Sequence, residues 1–196
     1  AGTIATVQVA DLTVDPISGM DPALGLSRVS GTVEPAGTST ADWETAVALG
    51  RLALSAEMIG ACRTMLELAR THALERIQFG VPISSFQAVR HRLAEALVAI
   101  EAAAAACDGA WADATPFTAM VAKATAGRTT RTVARHCQQV LAGVGFTAEH
   151  DFHGYLKRAV VCDKVLGDAA TSVRAVGEVL TSGRMEPVLP LPQFGP

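Results

Sequence analysis

Arg76, Gln78 and Phe79 stand together ahead of Gly80 and Pro82, and Phe86 and Gln87 follow. They belong to LERIQFGVPISSFQAVRHRLAEA, residues 74–96, where two helical patterns meet. A turn between helices needs only a Gly or a Pro and a cap. Here a guanidinium, an amide and two aromatic rings are added. In one reading Arg76 is a last-turn cation facing the helix dipole, and both Phe side chains are core staples. In the other, the guanidinium fork and the ring faces hold a phosphate-bearing aromatic cofactor.

Three further stretches carry polar chemistry. QQVLAGVGF, residues 138–146, is Gly-rich. Gly143 and Gly145 let backbone approach a ligand closely, or they cap a helix C-terminus. The stretch is no dinucleotide fingerprint, because no strand precedes it and no GxGxxG is complete. In EHDFHGYLKR, residues 149–158, His150, Asp151 and His153 hint at a metal. No partner cluster occurs elsewhere, so a polar helix start is the better reading and no metal is expected. Glu57 lies among Leu54, Ala56, Met58 and Ile59. Buried there, its carboxyl would titrate high and serve as a base. Otherwise it reaches solvent or pairs with Arg51 or Arg63.

These groups need elements to position them. Apolar residues recur at helical spacing from Asp42 to about Ile77, and Gly80 and Pro82 stop the pattern. Ser39 or Thr40 is placed to cap that helix, with Asp42 and Glu44 in its first turn. A second helix runs from Ser84 or Ser85 to about Trp111, with Leu93, Leu97 and Ile100 as its buried stripe. DATPF breaks it, and Pro116 suits the start of a third helix ending near Leu141. Residues 146–159 read as less regular. A last helix spans roughly Asp168 to Leu180, ahead of a Pro-rich tail. Before all of this, TIATVQVADLTV and SRVSGTVE alternate as short strands. They are too few for an independent sheet.

The expected architecture is therefore mainly α. It is an antiparallel four-helix bundle with a short N-terminal β segment. Residues 1–38 form the short β segment and a linker, 39–184 the helical bundle, and 185–196 an irregular tail.

Composition narrows the function classes. Of 196 residues 49% are hydrophobic and 18% charged, so a large core can form. A net charge of -3 argues against a nucleic-acid footprint. No apolar run looks long and charge-free enough to span a bilayer, and no signal peptide pattern is present. The four cysteines, at 62, 107, 137 and 162, form no CxxC pair and sit in apolar contexts. They read as reduced thiols of a cytoplasmic protein.

Taken in order, these motifs resemble the C-terminal half of an acyl-CoA dehydrogenase. The family pattern is R-x-x-F-G, a Pro-Ile-like dipeptide, F-Q and His-x-Leu-Ala, then Q-x-x-G-G-x-G-aromatic. The chain supplies Arg76, Phe79, Gly80, Pro82, Ile83, Phe86, Gln87, His91, Leu93 and Ala94, then Gln139, Gly143, Gly145 and Phe146. The style of the sequence is similar to actinobacterial members acting on steroid side chains, which include mixed assemblies. The resemblance implies α,β-dehydrogenation of an acyl-CoA thioester with FAD as cofactor. It implies that the corner reaches across a dimer interface to a flavin held largely by another subunit. Arg76, Gln78, Phe79 and Phe86 would then touch FAD, and Gln139 and Gly143 would line its adenosine-diphosphate end. The partners implied are an acyl-CoA substrate and another acyl-CoA dehydrogenase chain in a tetramer-type oligomer.

The family's base is absent. Its usual Glu, in a Y-E-G-T stretch, aligns with Leu166 or Gly167. The alternative base position, on the first bundle helix, aligns with Gly50, beside Arg51. Arg51 is assigned to the substrate side. Glu57 is the in-chain candidate base and Asp168 the fallback. Three functions remain: an active flavoenzyme subunit, a non-catalytic partner in a heteromeric acyl-CoA dehydrogenase, and a flavin-free helical interaction domain.

Overall fold

The structure, a computed structural model, describes residues 3–32, 37–40, 42–147 and 149–183. The tail expected over 185–196 lies outside the described residues. Four short strands come first: β1 (Thr3–Thr6), β2 (Thr13–Pro16), β3 (Ser27–Ser30) and β4 (Gly37–Thr40). β1 pairs antiparallel with β4, and β2 with β3. Every residue of β2 and β3 is exposed. Residues 37–40 thus belong to a strand and not to a linker. The Thr-Ser-Thr run favours extended backbone, and β1 offers it a ladder.

The helix α1 (Trp43–Glu75) follows. Its cap is Asp42, whose side chain accepts from the Thr45 N–H at 3.1 Å. Ser39 and Thr40 lie within β4, so the N-cap position falls to Asp42. At 33 residues α1 is about 50 Å long. Its length and composition, with a mean hydropathy of 1.3 over the most apolar window, would suit a membrane span. The expectation that no run is so apolar was too strict. Leu52, Met58, Cys62, Met65 and Ala69 are fully buried in the core.

Two more long helices follow, α2 (Gln87–Asp113) and α3 (Pro116–Leu141), and both pack against α1. α3 begins as a cap rule dictates, with Thr115 accepting from Thr118 N–H and Pro116 in the first turn. Two shorter helices complete the chain, α4 (Phe152–Lys164) and α5 (Ala169–Thr181). α3 packs on all four others. It can do so because Ala119, Ala122, Ala126, Gly127 and Val133 give it a narrow buried surface. The protein is mainly helical, as expected, with five α-helices among the described residues. The helix missed in the sequence is α4. Its buried residues are Phe152, Ala159, Cys162 and Asp163, a sparse stripe broken up by Gly154 and charges.

Candidate functional site

The corner after α1 is a β-hairpin. β5 (Ile77–Gln78) pairs with β6 (Val81–Pro82), leaving Phe79 and Gly80 as a two-residue loop. Both loop residues have positive φ, 53° and 81°, the combination of a type I′ turn. Gly adopts this freely and Phe does not. Phe79 is also 92% exposed, so no core packing compensates its strain. Its one ring contact among the described residues is an edge-on approach to Phe86, with centroids 6.1 Å apart. Phe86 is itself 37% exposed. The two rings are therefore presented outward, and neither is a core staple.

Arg76 closes α1 through its backbone, which donates to the His72 carbonyl at 2.9 Å and accepts from Ile83 N–H at 2.8 Å. Its guanidinium makes no hydrogen bond or ion pair among the described residues. It faces a cleft of about 660 Å³ lined also by Gln78, Phe79, Phe86, Gln139 and Gly143. The two stretches singled out in the sequence thus meet in one cavity of the size that small ligands occupy. The far wall is the turn after α3. Ala142 stands there at φ 50°, ψ −129°, a conformation suited to Gly. A Cβ added at Gly143 would meet nothing within 4 Å, so this backbone faces open space. Gly145 differs: a Cβ there would lie 2.6 Å from Gln138 Nε2 and 2.8 Å from Leu141 Cβ. It is a packing glycine.

The base positions lie at the other end of α1. Leu166 Cδ1 sits 2.6 Å from where a Cβ on Gly50 would stand. The two aligned positions therefore converge, and between them they present one aliphatic side chain. Leu166 holds φ 57°, in the left-handed region. Arg51 Nε donates to the Leu166 carbonyl at 3.0 Å. Lys123, fully buried, donates to the carbonyls of Asp163 at 2.8 Å and Gly167 at 2.9 Å. Burial pushes the Lys123 ammonium down from its ordinary value, against the pull of Asp163. The Asp163 carboxylate accepts from Ala169 N–H at 3.0 Å and pairs with Arg131 at 3.2 Å. A Cβ on Gly127 would stand 2.0 Å from Asp163 Oδ1. Three cations and a carboxylate thus lock the turn between α4 and α5. Sequence reasoning missed this network. The only signal was Lys123 among alanines in AKATAG.

Glu57 and Asp168 are both engaged. Glu57 is not a buried carboxylate: its side chain is 47% exposed, and Oε1 is 2.9 Å from Arg158 Nη1. Arg158, not Arg51 or Arg63, is its partner. Arg158 also binds Asp21, tying the β segment to α1 and α4. Asp168 caps α5, accepting from Thr171 N–H at 2.9 Å and from Lys164 Nζ at 2.8 Å. The Lys164 hydrogen bond, with those from Thr171, holds its carboxyl well below the usual range, the opposite of a base's requirement. His150 Nδ1 accepts from Phe152 N–H at 3.2 Å, so it serves the start of α4.

These features define a helical domain with a strained, aromatic, cationic corner opening on a ligand-sized cleft. Residues 40–180 match the family described as acyl-CoA dehydrogenase, C-terminal domain, and the chain belongs to that family. It is 39% identical over 148 residues to acyl-CoA dehydrogenase IpdE2 of Mycobacterium tuberculosis, covering 75% of this chain and 45% of that protein. It is 36% identical over 180 residues to acyl-CoA dehydrogenase FadE34 of the same organism, covering 88% and 25%. Among solved structures, the ChsE4-ChsE5 complex of M. tuberculosis superposes with a TM-score of 0.79 at 26% identity, covering 90% of this chain and 51% of that one. The chain thus spans about half or less of the relatives it matches.

Proposed function

We propose that this domain closes the diphosphate end of a flavin site in an acyl-CoA dehydrogenase, and that the base acting at that site comes from another chain. The observation that carries this is the convergence of Arg76, Phe79, Gln139 and Gly143 on one cleft. The residues fit FAD. Arg76 offers an unpaired fork to a diphosphate, Gln78 and Gln139 offer amides, Phe79 and Phe86 offer ring edges, and the backbone at Gly143 is open to a close approach. Bound there, FAD would supply the acceptor for the hydride lost from the β-carbon of an acyl-CoA.

The corner and the base position serve different sites. Gly50 and Arg76 sit roughly 40 Å apart along α1 at about 1.5 Å per residue. That exceeds the reach from a diphosphate, along a ribityl chain, to a flavin ring. At the Gly50 end, Leu166 has no proton-accepting atom, Glu57 is paired and Asp168 is capping. Arg51 remains as a cation on the substrate side, held by the Leu166 carbonyl. A partner chain carrying the carboxylate is favoured over catalysis by Glu57. The two-protein ChsE4-ChsE5 complex among the structural relatives supports a heteromer. The exposed Leu97 and Val98 of α2, at 49% and 69%, support an oligomer that covers them.

Flavin absorbance of the assembled protein tests the reading. Arg76→Ala should lower FAD affinity roughly ten- to a hundredfold, by loss of a charge-assisted contact. Glu57→Gln should leave flavin bleaching by acyl-CoA intact. Unchanged flavin content in Arg76→Ala would remove the corner's role. Abolished bleaching in Glu57→Gln would return the base to this chain. A protein with no flavin absorbance would leave a helical interaction domain.

A further inference from the structure

Arg92 belongs to neither sequence motif's role assignment, yet it lines the same cleft as Arg76. Its Nη1 lies 3.5 Å from Nδ1 of His136, a residue only 5% exposed on α3. Arginine donates and never accepts. Nδ1 is therefore the acceptor, which assigns the ring proton to Nε2. That nitrogen is 3.1 Å from Glu95 Oε2, so its N–H donates to the carboxylate. The order is Glu95, His136, Arg92, cleft.

The chemistry of this relay is specific. Arg131 and Arg158 are steered by carboxylates, which also neutralise them. Arg92 is steered by a neutral imidazole, and Glu95, one turn along α2, makes no ion pair with it. Its direction is set without a carboxylate in ion-pair contact. Neither Arg76 nor Arg92 has a carboxylate within ion-pair distance among the described residues. Two such guanidinium groups on one apolar-walled cleft, beside exposed aromatic rings, match a diphosphate ester joined to a flat ring system.

We propose that Arg92 is a second phosphate-binding residue of the cleft, and that His136, oriented by Glu95, is its positioning residue. This rests on the reading of the cleft as a flavin diphosphate site. Removing the Nδ1 acceptor frees Arg92 to turn to solvent, and ligand affinity then falls although no ligand contact was deleted.

The probe is adenosine diphosphate, titrated by calorimetry at low ionic strength into the assembled protein freed of flavin. Arg92→Ala should weaken binding roughly tenfold or more. Arg92→Lys should fall between, keeping the charge but losing the fork. His136→Leu should weaken binding, and His136→Asn should restore it by placing an acceptor oxygen near the old Nδ1. A purely structural histidine would not show that rescue at matched thermal stability. Should His136→Leu fail to fold, Glu95→Gln replaces it. Glu95 is exposed, and the variant removes only the carboxylate behind the imidazole. Arg76→Ala separates the two levels. If it weakens binding while Arg92→Ala binds as wild type does, the inference is overturned and the cleft stands. If Arg92→Ala weakens binding but neither His136→Leu nor Glu95→Gln does, the positioning relay is overturned. Absence of binding by the assembled wild-type protein, or binding indifferent to Arg76, overturns both the inference and the site.

Discussion

Gly127→Ala should destabilise the protein, against the usual rule for helices. Inside a helix, Gly to Ala normally gains about 1 kcal/mol. Gly127 lies inside α3, but a Cβ there would stand 2.0 Å from Asp163 Oδ1 and 2.8 Å from Ala169 Cβ. The carboxylate cannot step aside cheaply. Its Oδ1 accepts from Ala169 N–H and its Oδ2 pairs with Arg131, with 5% of the residue exposed. Giving up one charge-assisted bond costs about 1.5–3 kcal/mol, and overpacking costs a similar amount. After the helix gain, the net loss is about 2–5 kcal/mol. For a chain of this size that is a fall of roughly 4–20 °C in Tm. Gly60→Ala, in α1, is the control, because a Cβ there meets nothing within 4 Å. It should gain stability. Urea denaturation of the two variants reads both signs. A Gly127→Ala variant as stable as Gly60→Ala would refute the locked turn between α4 and α5.

Ala142→Gly should stabilise the chain by about 1 kcal/mol in urea denaturation. It relieves strain of about 1–3 kcal/mol at φ 50°, ψ −129° against a Gly entropy cost of roughly 0.4–1 kcal/mol. A loss of stability would count against strain at this turn. His72 and His136 are both held below 6.5, chiefly by burial, so the unfolded chain takes up their protons first. Their contribution is complete above that pH and is lost as pH falls from 6.5 through the folded values. Denaturation midpoints should decline over this window, and less steeply in His136→Asn. All four thiols are buried, with Cys62 pushed up to about 11 and Cys137 to about 12 by burial. A thiol reagent at mildly alkaline pH should label them only after unfolding, and prompt labelling of the native chain would contradict the packing.

The family and most of the helices were determined by the sequence alone. Local signals decide such things. Pro116 after a Thr cap starts α3, Gly80 and Pro82 end the α1 pattern, and the R-x-x-F-G and Gln139 stretches mark the cleft from both sides. That these motifs gather polar and aromatic groups was legible because each is short and continuous, so its residue types stay together however the chain folds. The partners of single charged residues were not legible. Glu57 has apolar neighbours in sequence, and only the docking of α4 brings Arg158 to it. Asp168 looks available until Lys164 and the start of α5 occupy it. Lys123 is one cation among alanines until the turn at Asp163 and Gly167 closes over its ammonium. The meeting of Leu166 with Gly50 likewise depends on how α5 is tethered to α3. Helical periodicity says which face of a helix is buried. It cannot say which distant side chain arrives there, because that is set by packing and burial, where a charge must find its partner or not be buried at all.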